Sequence, residues 1–255
     1  MTSIFLIAGA AGACTILGAA VIFFTQRIVP VTIAWALSIA AGAMVYVSFL
    51  ELIPEALQHL GAQYGVAESQ MWLTLFFVVG ACCAGIMDYF IPQHDLAKGS
   101  ECCASDSRLA RAGVFIFLGL TIHNIPEGVG IYATVLQDLR FGLTVALGIA
   151  IHNLPAGVVL AFTIFAGTQS RRRVMICAAI AGLAQPLGAL IGFMFFGNHL
   201  PDTLIGIIYA MVAGILTYIS LDELLPMAKK HGREHQAIVG FFIGFIFLSF
   251  ATLFF

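Results

Sequence analysis

Two short stretches of this 255-residue chain carry residue types that coordinate metal ions: His123-Asn124-Ile125-Pro126-Glu127-Gly128 and His152-Asn153-Leu154-Pro155-Ala156-Gly157. On a helix, side chains three and four residues apart share a flank, so His123, Asn124 and Glu127 face one way. His123 and His152 offer neutral imidazole nitrogens and Glu127 a carboxylate, a donor set suited to a borderline divalent ion such as Zn²⁺ or Fe²⁺. Pro126 cannot donate an amide hydrogen to the carbonyl of Ile122, and Pro155 frees that of Ile151 in the same way. Asn124 and Asn153 can satisfy those carbonyls or coordinate the ion directly. Gly128, Gly130 and Gly157 permit close helix approach.

The elements that hold these motifs are apolar. Hydrophobic residues make up 61% of the chain and charged residues only 9%, against about 25% charged in soluble domains. The chain therefore reads as an all-α polytopic membrane protein. A carboxylate deep in a bilayer is costly unless it meets protein, water or a cation, so Glu127 marks a functional site. A net charge of −2 without large basic clusters argues against nucleic acid as a partner. No P-loop or GxGxxG is present to bind a nucleotide. The first apolar run lacks a basic leader and continues to about Phe24, which predicts a membrane helix and no cleaved signal. Cys14, Cys82, Cys83 and Cys177, within apolar runs, are expected to be core hydrophobes.

Windows of roughly twenty apolar residues predict eight helices in one transmembrane domain, at about 3–24, 32–58, 71–91, 112–135, 141–166, 174–196, 203–228 and 236–255. The segment 92–111 is the longest predicted loop. Arg27, Lys98, Arg108, Arg111, Arg171, Arg172, Arg173, Lys229, Lys230 and Arg233 fall in the loops after helices 1, 3, 5 and 7, which are ten of the eleven basic residues. Only Arg140 lies in the others. The positive-inside rule then places the odd-numbered loops in the cytoplasm and both termini outside the inner membrane. At that orientation Glu51 and Glu55 fall toward the outer end of helix 2. Asp88 on helix 3 and Asp222 and Glu223 on helix 7 fall toward the inner end, with His123, Glu127 and His152 near the midplane.

Repetition points to transport. HNLPAG on helix 5 repeats HNIPEG on helix 4, and Glu51-Leu-Ile-Pro54 on helix 2 resembles Glu223-Leu-Leu-Pro226 on helix 7. Helices 4 and 5 run oppositely, as do 2 and 7. Paired motifs on antiparallel helices are expected of inverted repeats, here helices 1–3 and 6–8 around a 4–5 pair, with the binding site at their junction. Ions would approach past Glu51 and Glu55 and leave past Asp88, Asp222 and Glu223. Met44 and Ser48 either line that path or pack in the core. His94, Asp95, Glu101, Cys102, Cys103 and Asp106 in the 92–111 loop suit weak metal capture or a solvated linker, and His231 and His235 are expected to face solvent.

The eight spans, the two HNxP motifs, the ligand-bearing loop and Ser220-Leu-Asp-Glu-Leu-Leu-Pro226 together resemble the ZIP (Zrt/Irt-like) family of divalent metal transporters, especially its bacterial zinc-uptake branch. That resemblance implies uptake of Zn²⁺, with Fe²⁺, Mn²⁺ or Cd²⁺ as further substrates, through a two-metal site between helices 4, 5 and 6. It also implies an elevator-like movement of helices 1, 4, 5 and 6 against 2, 3, 7 and 8. Similar proteins carry glutamates where this chain has Ala156 and Gln185. Two divalent ions within about 4 Å repel strongly, and Glu127 alone offsets little of that. One principal ion on His123, Glu127 and His152 is therefore expected, with Asn124, Asn153 and Gln185 forming at most a weak second position. A transport-impaired or metal-sensing relative is the alternative motivated by the same substitutions. An intramembrane zinc hydrolase fits less well, because HExxH is absent. A homodimer is one assembly compatible with such a chain.

Overall fold

The computed structural model describes residues 2–24, 30–90, 107–197 and 201–252, and the described residues are helical almost throughout. In a bilayer no water satisfies exposed peptide groups, so an apolar chain closes its hydrogen bonds within each helix. Helix α1 is Thr2–Ala19, ending in a 3₁₀ turn Ala20–Phe23. Helix α2 runs Pro30–Tyr46, widens into a π-turn Val47–Leu52 and resumes as Ile53–Gly61. Helices α3 to α6 are Val66–Phe90, Ser107–Gln137, Leu139–Thr168 and Arg171–Phe196. Helix α7 repeats the α2 pattern as Asp202–Tyr218, a π-turn Ile219–Leu224 and Leu225–His231, and α8 is Glu234–Thr252. Among the described residues seven helices are long and apolar enough to cross a membrane, and α8 contributes a shorter apolar stretch, His235–Phe250.

Several expected boundaries shift outward. Residues Ser107 to Arg111, expected in the loop, begin α4, because Arg, Leu and Ala favour a helix that projects past the apolar window. Helices α2 and α3 likewise extend to Gly61 and from Val66. His94, Asp95, Glu101, Cys102, Cys103 and Asp106 lie outside the described residues. Cys82 and Cys83 are exposed, not core, and Cys14 and Cys177 are half-buried: small thiols suit an apolar face turned to lipid as well as one turned inward. His235 is exposed as expected, whereas His231 is half-buried with its Nδ1 2.9 Å from the Met227 carbonyl.

The helices pack as two sets. In one, α1 packs on α5 and α6, and α4 packs on α5 and α6; in the other, α2 packs on α7 and α8, and α3 on α7. Exchanging α1 with α6, α2 with α7, α3 with α8 and α4 with α5 returns the same pairings, the packing expected of an inverted repeat. Small residues carry it. A Cβ on Gly12 would meet the Gly182 carbonyl at 2.1 Å, one on Gly128 the Gln185 carbonyl at 1.9 Å, and one on Gly157 the Thr15 carbonyl at 2.1 Å. In the second set Gly42 and Gly244 stand in the same relation to the Phe241 and Ile39 carbonyls. Between the sets the glycines of α4 meet side-chain ends instead: Gly119 faces Ile219 Cδ1, and Gly130 faces the Tyr209 hydroxyl.

Candidate metal centre

Pro126 and Pro155 sit inside α4 and α5 without ending either helix, which is tolerated when neighbouring helices enclose the freed backbone groups. The two motifs thereby meet at the centre of the first set. Ligand atoms of His123, Glu127 and His152 all lie within 4.8 Å of one another. The three side chains are 2%, 3% and 9% exposed. His152 Nε2 is 3.0 Å from Glu127 Oε1, and His123 Nε2 is 3.9 Å from the same oxygen. His123 Nδ1 is 3.0 Å from the Gly119 carbonyl. A carbonyl can only accept, so Nδ1 carries the proton and Nε2 presents its lone pair to the site, the arrangement that orients a ligating imidazole. His152 Nδ1, by contrast, is buried without a partner in the protein.

The amides act differently from the expectation. Neither asparagine serves a proline-freed carbonyl; Asn124 Nδ2 donates to the Ala181 carbonyl of α6 at 2.7 Å, and Asn153 Nδ2 to the Ala11 carbonyl of α1 at 3.2 Å. Both Oδ1 atoms are buried and lack a partner in the protein. Gln185 Oε1 accepts from Asn153 at 3.0 Å, while its Nε2 donates to Glu127 Oε2 at 3.5 Å. Reversing that amide would set donor against donor at Asn153, so the network fixes its orientation. Gln185 is thus a strut holding Glu127, with its oxygen already engaged.

One member of this layer escaped the sequence reading. Ala181-Gly182 and Leu187-Gly188-Ala189 on α6 repeat Ala11-Gly12 and Leu17-Gly18-Ala19 on α1, which makes Thr15 the counterpart of Gln185. Thr15 is fully buried, and its hydroxyl lacks a protein partner. The signal was present as the shared small-residue spacing, but without charged or metal-binding residues to draw attention.

A cavity of about 310 Å³ reaches Glu127 and His152 and is lined also by Glu51, Glu55, Thr134, Thr144 and Tyr209. Glu51 and Glu55 thus share one space with the central cluster. On the opposite side His123 and His152 abut a small pocket walled by Ala40, Ala43, Met44, Val47, Ala156 and Leu216. Met44 therefore faces the centre, whereas Ser48 is buried and its hydroxyl returns to the Met44 carbonyl within the helix. Beyond that apolar layer Asp88, Asp222 and Glu223 form a second cluster with ligand oxygens within 4.8 Å of one another.

The π-turns explain how α2 and α7 present their acids. Pro54 and Pro226 offer no amide hydrogen, and their rings would strike the carbonyls of Leu50 and Asp222 in a regular α-helix. An extra residue in the turn relieves the clash: Ile53 N–H reaches back to the Ser48 carbonyl and Leu225 N–H to the Ser220 carbonyl. Glu51 and Glu223 occupy equivalent places in these two widened turns.

Among the described residues, eight apolar helices in an inverted repeat around a buried His-Glu-His cluster define a polytopic metal transporter. Residues 91–252 match the family model described as ZIP Zinc transporter. A "Zinc transporter ZupT" of Akkermansia muciniphila is 37% identical, the match covering 96% of this chain and 95% of the relative. Proteins of that name from Chlorobium luteolum and Oceanobacillus iheyensis are 39% and 38% identical, with 95% and 98% of this chain and 94% and 96% of the relatives covered. The chain belongs to the ZIP zinc transporter family.

Proposed function

We propose that this protein takes up Zn²⁺ across the cytoplasmic membrane toward the cytoplasm, with Fe²⁺, Mn²⁺ and Cd²⁺ as further candidate substrates. The observation that carries the reading is a buried His123-Glu127-His152 cluster that opens into the cavity lined by Glu51 and Glu55. One principal ion binds there, because Gln185 is a neutral strut and Ala156 an aliphatic wall. The placement of basic residues orients the cavity outward and the Asp88-Asp222-Glu223 cluster inward, with both termini outside. Passage then follows relative movement of the two helix sets, whose mutual glycine contacts are with side-chain ends and not backbone. Weak ligands at either end and a stronger set at the centre suit selection followed by release.

Uptake of each metal into proteoliposomes, compared with His123→Ala, tests this directly. Uptake by the parent and background flux in the variant is the expected result. Background in both, with metal still bound, would favour the sensing alternative that Ala156 and Gln185 motivate. Membership of a transporter family sets the hydrolase reading aside.

A further inference from the structure

The central donor set falls one anion short. A Zn²⁺ ion held by two neutral imidazoles and Glu127 leaves a net positive charge buried at the site and one tetrahedral position open. Within α1, α4, α5 and α6 the neighbours of the three ligands include Ala156 and Gln185, neither of them a carboxylate, and the Gln185 oxygen is engaged by Asn153. Two acids of the other helix set, Glu51 and Glu55, line the cavity, and Glu51, in the same π-turn as the Val47 that also walls the central pocket, is the inner of the two. Glu51 lines the same cavity as Glu127 and His152. It stands outside the compact group of three, so a swing of its flexible side chain is needed to close the coordination.

Resting on the central-site reading above, we infer that Glu51 supplies the fourth ligand of the transported ion in this conformation, and that Glu223, its inverted-repeat counterpart, supplies it in the opposite one. The two acids sit at equivalent places in the two π-turns, each three residues before a proline and each three after a serine whose hydroxyl returns to its own helix backbone. Glu223 already stands with Asp88 and Asp222 at the far end. Ala43, Met44 and Leu216 wall the small pocket on the far side of His123 and His152, whereas the cavity side is shared with Glu51, so an ion bound now reaches Glu51. When the carrying helices move, the ion leaves Glu51 behind and meets Glu223, keeping two carboxylates in each end state and loosening its hold between them. The static set thereby supplies the charge that the carrying set lacks.

Zn²⁺ binding to the purified full-length protein, measured by calorimetry together with zinc X-ray absorption, tests the inference. Glu51→Gln is expected to weaken Zn²⁺ binding by at least about tenfold while imidazole ligation persists. A second measurement uses Glu51→Cys: Cd²⁺ is expected to protect the introduced thiol from maleimide, and adding Glu127→Gln is expected to abolish the protection. Parent-like Zn²⁺ affinity in Glu51→Gln, or equal labelling of the Glu51→Cys thiol with and without bound Cd²⁺, overturns the inference. If Glu127→Gln also retains tight binding, the failure belongs to the central site itself.

Discussion

Glu127 is the residue on which the centre turns. It touches His152 directly, stands near His123 and is held from behind by Gln185. Replacing it with Gln removes the one charge the carrying helices contribute, and equilibrium dialysis with Zn²⁺ is expected to show no central binding. Gln185→Glu makes the complementary change. It sets a second carboxylate about as close to Glu127 as the amide now lies, so two like charges share a buried site. The metal-free variant is expected to melt below the parent in detergent. Added Zn²⁺ should raise its melting temperature more than it raises the parent's, with metal analysis rising from one central ion toward two. A parent-like melting temperature and one ion would show that Asn153, not charge, governs this position.

The decisive element is the π-turn. Pro54→Ala removes the clash that widens α2, allowing a regular α-helical turn that rotates Glu51 away from the cavity. Zn²⁺ binding is expected to weaken as predicted for Glu51→Gln, with helicity and expression retained; parent-like binding would mean that the turn does not aim the acid. Helix contact is equally exacting. A methyl group at Gly128 has no room beside the Gln185 carbonyl, so Gly128→Ala must separate α4 from α6. A loss of about 1–3 kcal/mol is expected from such overpacking, visible as a lower midpoint of thermal unfolding and weaker metal binding through the displaced Gln185 strut.

For the molecule as a whole, glycines such as Gly12, Gly42 and Gly128 lie against backbone carbonyls within a helix set, whereas Gly119 and Gly130 meet side-chain ends across the boundary, and the proposed movement of one set against the other is tested there. Gly119 on α4 and Ile219 on α7 meet across that boundary. The double variant Gly119→Cys with Ile219→Cys sets one thiol on each side of that boundary. Oxidation is expected to stop uptake and reduction to restore it, read in the same proteoliposomes. Full uptake by the oxidised, cross-linked protein would rule out relative motion of the two sets.

The sequence by itself determined the class of protein, the apolar helices and the residues that gather at the centre. Those follow from local chemistry: apolar runs long enough to span, a 3.6-residue period that aligns His123 with Glu127, and repeated motifs that demand a pseudo-symmetric pair. Tertiary structure decided which groups the packing engages and which it leaves open. Gln185 became a strut because Asn153 lies across the helix junction, Asn124 and Asn153 reached neighbouring helices instead of their own prolines, and Thr15 entered the central layer through a small-residue repeat. The widened turns were signalled by Pro54 and Pro226, but their consequence required three dimensions. Only the packing of α2 against the central helices brings Glu51 into the cavity that contains Glu127.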